Sequence, residues 1–227
     1  VGLLHALNEY RQNAIDPSAL AKSACHIEMD LCREPIGKQD QYAAAFGGIN
    51  FIEFCPNESV IVTPIRLGEN TLHALQSHML VLYTGKTRSA SALLQEQSIE
   101  LSKDAHKQQT MHRMVQLARD FKDELSANRI DALGEILHEG WMLKKSLVPG
   151  ISVHEIDHWY DAARAAGALG GKVLGAGAGG FLLLYASPER HSAIRQALPQ
   201  LQPMAVDFDF LGSQIIFNEK IAGNAQP

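Results

Sequence analysis

Residues 170 to 186 constrain this chain more than any other stretch. An apolar run leads into Gly175-Ala-Gly-Ala-Gly-Gly180, and a second apolar run follows as Phe181-Leu-Leu-Leu-Tyr185. Glycines this dense remove the side chains that hold a backbone away from a ligand, so N–H groups can come close to an anion such as phosphate. The flanking runs read as buried strands, and the predicted unit is strand–loop–strand. The spacing Gly175-x-Gly177-x-x-Gly180 also matches the dinucleotide fingerprint. That fingerprint must open a helix facing the pyrophosphate, whereas here the glycines open a strand, so a Rossmann site is excluded. Two readings of these residues remain: a loop that faces a ligand, or a tight hairpin of small residues.

The remaining sequence offers enough apolar material to bury such strands. The chain has 227 residues, 46% of them hydrophobic and 20% charged, which fits a soluble globular protein of one or two domains. A net charge of −5 without a Lys/Arg-rich tract argues against nucleic acid and anionic membrane as partners. No apolar run reaches membrane-spanning length and no signal peptide is visible. Cys25, Cys32 and Cys55 are odd in number and lack metal-ligand spacing, which predicts reduced thiols in a cytoplasmic protein.

Hydrophobic period gives a coarse map. Leu3, Leu4 and Leu7 predict a helix at the start, and Pro17 opens a second helix with a stripe at Leu20, Ala24, Ile27 and Leu31. Lys38 to Phe46 forms a short helix ended by Gly47-Gly48, and paired strands follow over Ile49 to Phe54 and Ser59 to Leu67. Met79 to Tyr83 is a strand, residues 88 to 147 are helical, and a helix runs from Val153 to Ala166. His191 to Leu198 is a helix, with closing strands at Met204 to Asp207 and Ser213 to Phe217. Interleaved helices and hairpins define an α+β fold in two layers, with a domain boundary near residue 72.

Several chemistry-bearing residues stand out. Asp40 sits in a predicted first helical turn, either as a carboxylate favoured by the helix dipole or as a base that accepts a hydroxyl proton. Glu28, one helix upstream, is either a solvated glutamate or a hard oxygen ligand for a divalent cation. Tyr83-Thr-Gly-Lys-Thr-Arg88 contains Gly-Lys-Thr, but Leu80 occupies the position where a phosphate loop needs its first glycine, so a Walker A loop is excluded. Lys86 and Arg88 are then either solvated turn residues or phosphate ligands. His154-Glu-Ile-Asp-His158 matches the zincin pattern, yet Ser152-x-x-Glu155 is a capping box and no third ligand follows, so a zinc hydrolase is set aside.

Two segments carry a family resemblance. Lys172 to Gly180 resembles the third signature of the GHMP small-molecule kinases, and Gly180 to Tyr185 is similar to the branch containing D-glycero-D-manno-heptose 7-phosphate kinase. Gly37-Lys-Gln-Asp-Gln41, followed by small residues and Gly47-Gly48, resembles the Gly-x-x-Asp-Gln segment of sugar kinases in the same superfamily. The resemblance implies a two-layer GHMP kinase-like fold: residues 1–72 as the remainder of the N-terminal domain, and 73–227 as a ferredoxin-like C-terminal domain with inserted helices. It implies ATP and Mg²⁺ as cofactors and phosphorylation of the anomeric hydroxyl of a heptose 7-phosphate in the cytoplasm. Asp40 takes the catalytic position. Lys38, Gln39, Gln41, Gly48, Lys86 and Arg88 fall on substrate-binding positions. Gly175, Ala176, Gly177, Ala178, Gly179 and Gly180 line the nucleotide. Glu28 falls near the family's metal-binding glutamate, although its spacing to Asp40 is one residue longer than in mevalonate kinase. The first helix resembles the one that follows the family's phosphate-cradling loop, so that loop is expected upstream of Val1. Alternatives kept open are a kinase for galactose or fucose, or a non-catalytic sugar- or nucleotide-binding relative. The oligomeric state stays open, with a homodimer among its outcomes.

Overall fold

The computed structural model describes residues 1–86, 104–147, 150–175 and 179–218. The chain divides into two compact units, one made of Val1–Pro64 with the segment from Phe208 onward, the other of Ile65–Asp207.

The first unit begins with α1 (Gly2–Tyr10) and α2 (Pro17–Cys25). Asp16 starts α2 by accepting from Ser18 N–H at 2.9 Å and Ala19 N–H at 3.0 Å, while Pro17 loses nothing in the first turn, where its missing N–H would have no helical partner. The chain then widens into a π-helical turn, His26–Leu31, closed by Cys32 N–H on the Ile27 carbonyl at 2.9 Å. An i→i+5 ring holds one residue more than an α turn, so the phase of the helix changes at His26. Leu20 and Ala24 are buried as their period predicts, but Leu31 is 65% exposed because the widened turn carries it off the stripe. α3 (Gln39–Phe46) packs on α2 around Leu20, Ala21, Cys25, Tyr42 and Ala45. Leu4 joins that cluster, whereas Leu3 and Leu7, four apart, face solvent. β1 (Asn50–Phe54) and β2 (Val60–Pro64) pair antiparallel with Ile52 opposite Val62.

The second unit is built on an antiparallel sheet in the order β4 (Gly170–Leu174), β5 (Phe181–Tyr185), β3 (Met79–Tyr83), β6 (Gln202–Met204). α4 (Glu69–His78), which the hydrophobic period did not announce, leads directly into β3 (Met79–Tyr83). Residue 72, the expected boundary, lies inside this helix. α5 (Ala105–Ser126) and α6 (Leu133–Leu147) supply the helical block, followed by α7 (His154–Ala165). β4 (Gly170–Leu174) and β5 (Phe181–Tyr185) flank the glycine loop as predicted, and α8 (His191–Ala197) precedes β6 (Gln202–Met204). Leu182 lies between Leu82 and Val173, and Leu184 between Leu80 and Gly171, so strand alternation sends these leucines to one face. There they pack with Trp141, Ile156, Trp159, Tyr160 and Ile194. Leu182, Leu184 and Ile156 are fully buried, each contributing roughly 1.5–3 kcal/mol by leaving water.

Two expectations need correction. α7 is preceded by Val153 as its capping position, without a side-chain cap, and Ser152 Oγ donates instead to Asp157 Oδ1 at 3.0 Å. Ser213 to Phe217 does not form a strand: it pairs with no strand among the described residues, and Ile216 and Phe217 stay 96% and 73% exposed. No helix of the described residues is long and apolar enough to cross a membrane.

Candidate active site

The expected site residues fall in both units. In the first, the helix dipole and the Lys38 turn set up the start of α3. Asp40 stands in its first turn, exposed, with no ion pair or side-chain hydrogen bond among the described residues. Gln41, the next residue, points about 100° away round the helix and is only 4% exposed. Its Nε2 donates to Glu28 Oε2 at 2.6 Å, which joins α3 to the π-helical turn. A hydrogen bond to a carboxylate is worth about 1.5–3 kcal/mol. The second oxygen of Glu28 has no partner among the described residues, and Gln41 Oε1 is buried without a hydrogen bond. Sequence reasoning proposed Gln41 and Glu28 separately and missed that they touch.

The other residues of this segment have distinct surroundings. Lys38 Nζ is half-buried, 3.7 Å from Glu58 Oε2. Burial pushes the Cys25 thiol up, and the Lys38 charge opposes that shift. Gln39 is exposed. Gly48, at φ 72°, donates its N–H to the Asp209 carbonyl, and a Cβ there would meet the Phe210 ring at 3.2 Å. Its left-handed backbone and lack of a side chain therefore let the segment from Phe208 onward fold back on α3.

In the second unit the glycine loop is stitched to the end of β3. Thr84 N–H and Oγ1–H both donate to the Gly180 carbonyl, at 3.0 and 2.8 Å, and Gly180 N–H donates to the Lys86 carbonyl at 2.8 Å. Gly175, at φ 90°, has nothing within 4 Å of the place a Cβ would occupy. Gly179 is different, because its Cβ would meet the Lys86 carbonyl oxygen at 2.8 Å. Ala176, Gly177 and Ala178 lie outside the described residues, as does Arg88.

The Lys86 side chain is ion-paired with Glu155 on α7 and lies 5.9 Å from the centre of the Trp159 ring. Glu155 and Asp157, the two acids of the His154–His158 pattern, are both engaged: the former with Lys86, the latter with Lys145 at 2.9 Å. The signal at Glu155 was present in the sequence, but it gave no hint of a partner in the turn that follows β3. On β4, burial pushes the Lys172 ammonium below the usual lysine range; on α6, burial and then the Lys172 charge do the same to Lys144.

The strand–glycine loop–strand and the short helix that carries Asp40 are the two segments on which the resemblance to the small-molecule kinases rests. Residues 121–202 match the family profile described as GHMP kinases C terminal. The chain carries a GHMP kinase C-terminal domain and has the α+β fold of those kinases. Among its relatives is the D-glycero-alpha-D-manno-heptose 7-phosphate kinase of Campylobacter jejuni, 33% identical over 92% of this chain and 62% of the relative. The crystal structure of a D-glycero-D-manno-heptose 1-phosphate kinase from Bacteriodes thetaiotaomicron superposes with a TM-score of 0.70 at 28% identity, covering 95% of this chain and 61% of that one. Streptococcus pneumoniae phosphomevalonate kinase shares the fold, with a TM-score of 0.71 at 11% identity over 90% of this chain and 66% of that one. The chain thus spans less than two thirds of the length of the two heptose kinases.

Proposed function

We propose that the protein is an ATP-dependent sugar kinase that phosphorylates the anomeric hydroxyl of a heptose 7-phosphate in the cytoplasm. The observation that carries the proposal is Asp40, exposed in the first turn of α3 and unpaired among the described residues, one residue from the buried Gln41 that fixes Glu28. In the transfer, the sugar oxygen forms a bond to the γ-phosphorus, the bond to the β-γ bridging oxygen breaks, ADP leaves, and the hydroxyl proton passes to Asp40. Asp40 needs no rearrangement to accept it, since no cation already holds its carboxylate among the described residues. Gly175 offers open backbone for the nucleotide, Gly179 and Gly180 anchor the loop to the segment that follows β3, and with them go Ala176, Gly177 and Ala178. Lys86 and Arg88 are the candidates for the sugar phosphate, with Lys86 exchanging Glu155 for that ligand. Lys38, Gln39 and Gly48 border the Asp40 segment as further candidates for the sugar.

Glu28 fits a Mg²⁺ ligand by chemistry. It is a hard oxygen donor with one carboxylate oxygen free, and the described residues hold no group of three or more His, Cys, Asp or Glu able to form a metal cage. Mg²⁺ in kinases characteristically takes one or two carboxylates and completes its shell with phosphates and water. Bound there, it would neutralise charge on the transferred phosphoryl group. The π-helical turn supports this role, because a turn with one extra residue takes up the longer spacing between Glu28 and Asp40.

The test is Asp40→Asn in the full-length enzyme, assayed with heptose 7-phosphate, galactose and fucose beside ATP and Mg²⁺. The wild type should prefer heptose 7-phosphate, and the variant should fold, bind ATP and lose roughly 10²–10⁴-fold in kcat with a smaller change in KM. A folded variant with wild-type kcat would overturn the mechanism.

A further inference from the structure

Gln41 is placed where a glutamine is a poor choice for stability. It is 4% exposed, on the face of α3 that packs against α2, beside Tyr42 and Ala45 in the same buried cluster. Its Oε1 is buried with no hydrogen-bond partner, and an unmet buried acceptor costs about 1–3 kcal/mol. The amide cannot be turned to relieve this, since the other orientation would set Oε1 against the Glu28 carboxylate. An apolar residue of similar volume would avoid the loss, and a buried polar group kept at such a loss marks a site where stability yields to function.

What the amide does is fix one oxygen of Glu28. Nε2 holds Oε2 at 2.6 Å, and Oε1 of Glu28 has no partner among the described residues. The carboxylate thereby offers a cation a single oxygen. Small octahedral cations that keep much of their water shell accept one oxygen per carboxylate, whereas Ca²⁺ readily takes both. The π-helical turn that carries Glu28 supplies the second constraint, because its backbone is pinned by Glu34 N–H on the Glu28 carbonyl at 2.9 Å.

We infer that Gln41 is a positioning residue that orients Glu28 for monodentate binding of a small octahedral divalent cation and disfavours Ca²⁺. This rests on the assignment of Glu28 as a cation ligand. Its sensitivity to substitution follows from the general behaviour of groups that orient metal ligands, whose loss costs 10–100-fold in affinity.

The experiment uses Mn²⁺ as the probe, with binding to the full-length protein followed by electron paramagnetic resonance in the presence of ADP, and Ca²⁺ as competitor. Three variants are compared: Gln41→Leu, Gln41→Met and Glu28→Gln. Gln41→Leu should melt close to the wild-type temperature, because removing the unmet acceptor offsets the loss of the hydrogen bond to Glu28. Its Mn²⁺ affinity should fall by roughly 10–100-fold, and Ca²⁺ should compete better than against wild type. Gln41→Met should behave alike and serves if the leucine variant does not fold. Mn²⁺ binding and Ca²⁺ competition unchanged in a folded Gln41 variant, with Glu28→Gln deficient in Mn²⁺, would overturn the positioning role alone. Unchanged Mn²⁺ binding in Glu28→Gln would overturn the cation assignment itself.

Discussion

Gly179→Ala tests whether the position of the glycine loop, rather than its mere presence, serves the nucleotide. Gly179 does not occupy the left-handed region, so an alanine there brings no torsional strain. The whole effect is the new Cβ, which would lie 2.8 Å from the Lys86 carbonyl oxygen and 3.2 Å from its carbon. Ordinary contact begins at 3.4 Å, so the loop and the Lys86 backbone must part by about 0.6 Å. The same carbonyl accepts from Gly180 N–H at 2.8 Å, and a shift of that size stretches the bond to the edge of useful geometry. Losing it costs about 0.5–1.5 kcal/mol net. The alanine recovers about 0.4–1 kcal/mol by restricting the unfolded chain. Stability should therefore change little, with a melting temperature within about 4 °C of wild type. Binding should respond more strongly, since displacing a ligand-facing group by a good part of an ångström costs up to about 10²-fold. Titration with a fluorescent ATP analogue should show a Kd raised about tenfold, equivalent to about 1.4 kcal/mol. Hydrogen exchange at the Gly180 amide reports whether the loop moved. A deprotected Gly180 amide with an unchanged Kd would refute the link between loop position and nucleotide binding.

Two further outcomes concern the second unit as a whole. Gly170→Ala would drive a Cβ into the Gly134 carbonyl and to 2.9 Å from His138 N, backbone atoms of α6 that cannot rotate away, so the expected loss exceeds about 3 kcal/mol and a melting curve within 2 °C of wild type would contradict the α6–β4 packing. Burial pushes the Tyr160 and Tyr185 hydroxyls up to about 12, so the folded state holds their protons after the unfolded chain has released them near pH 10. Their contribution is whole below pH 10 and declines as the pH rises from 10 through 12. Denaturant unfolding across that range should show falling stability, and Tyr185→Phe should make the decline shallower; an equally steep decline in the variant would exclude Tyr185 as its source.

The sequence by itself determined the elements whose information is local. The apolar alternation of Phe181–Tyr185 and the glycines before it specify strand and loop, because side-chain period and glycine's freedom act over a few residues. The helix that presents Asp40 is equally local, closed by Gly47 at φ 63°, a conformation that glycine enters without strain. Only the tertiary structure decided which side chains meet. Gln41 finds Glu28 because α3 packs on α2, and Lys86 finds Glu155 because the turn that follows β3 comes beside the first turn of α7. Neither pairing leaves a trace in any periodicity. Glu155 fitted a capping box locally, yet an ion pair with Lys86 claims its carboxylate. The π-helical turn at Glu28 and the return of the segment from Phe208 to the first unit were likewise invisible. Hydrophobic pattern says which face of an element is buried, but packing of distant elements selects the partner that each buried or half-buried polar group obtains.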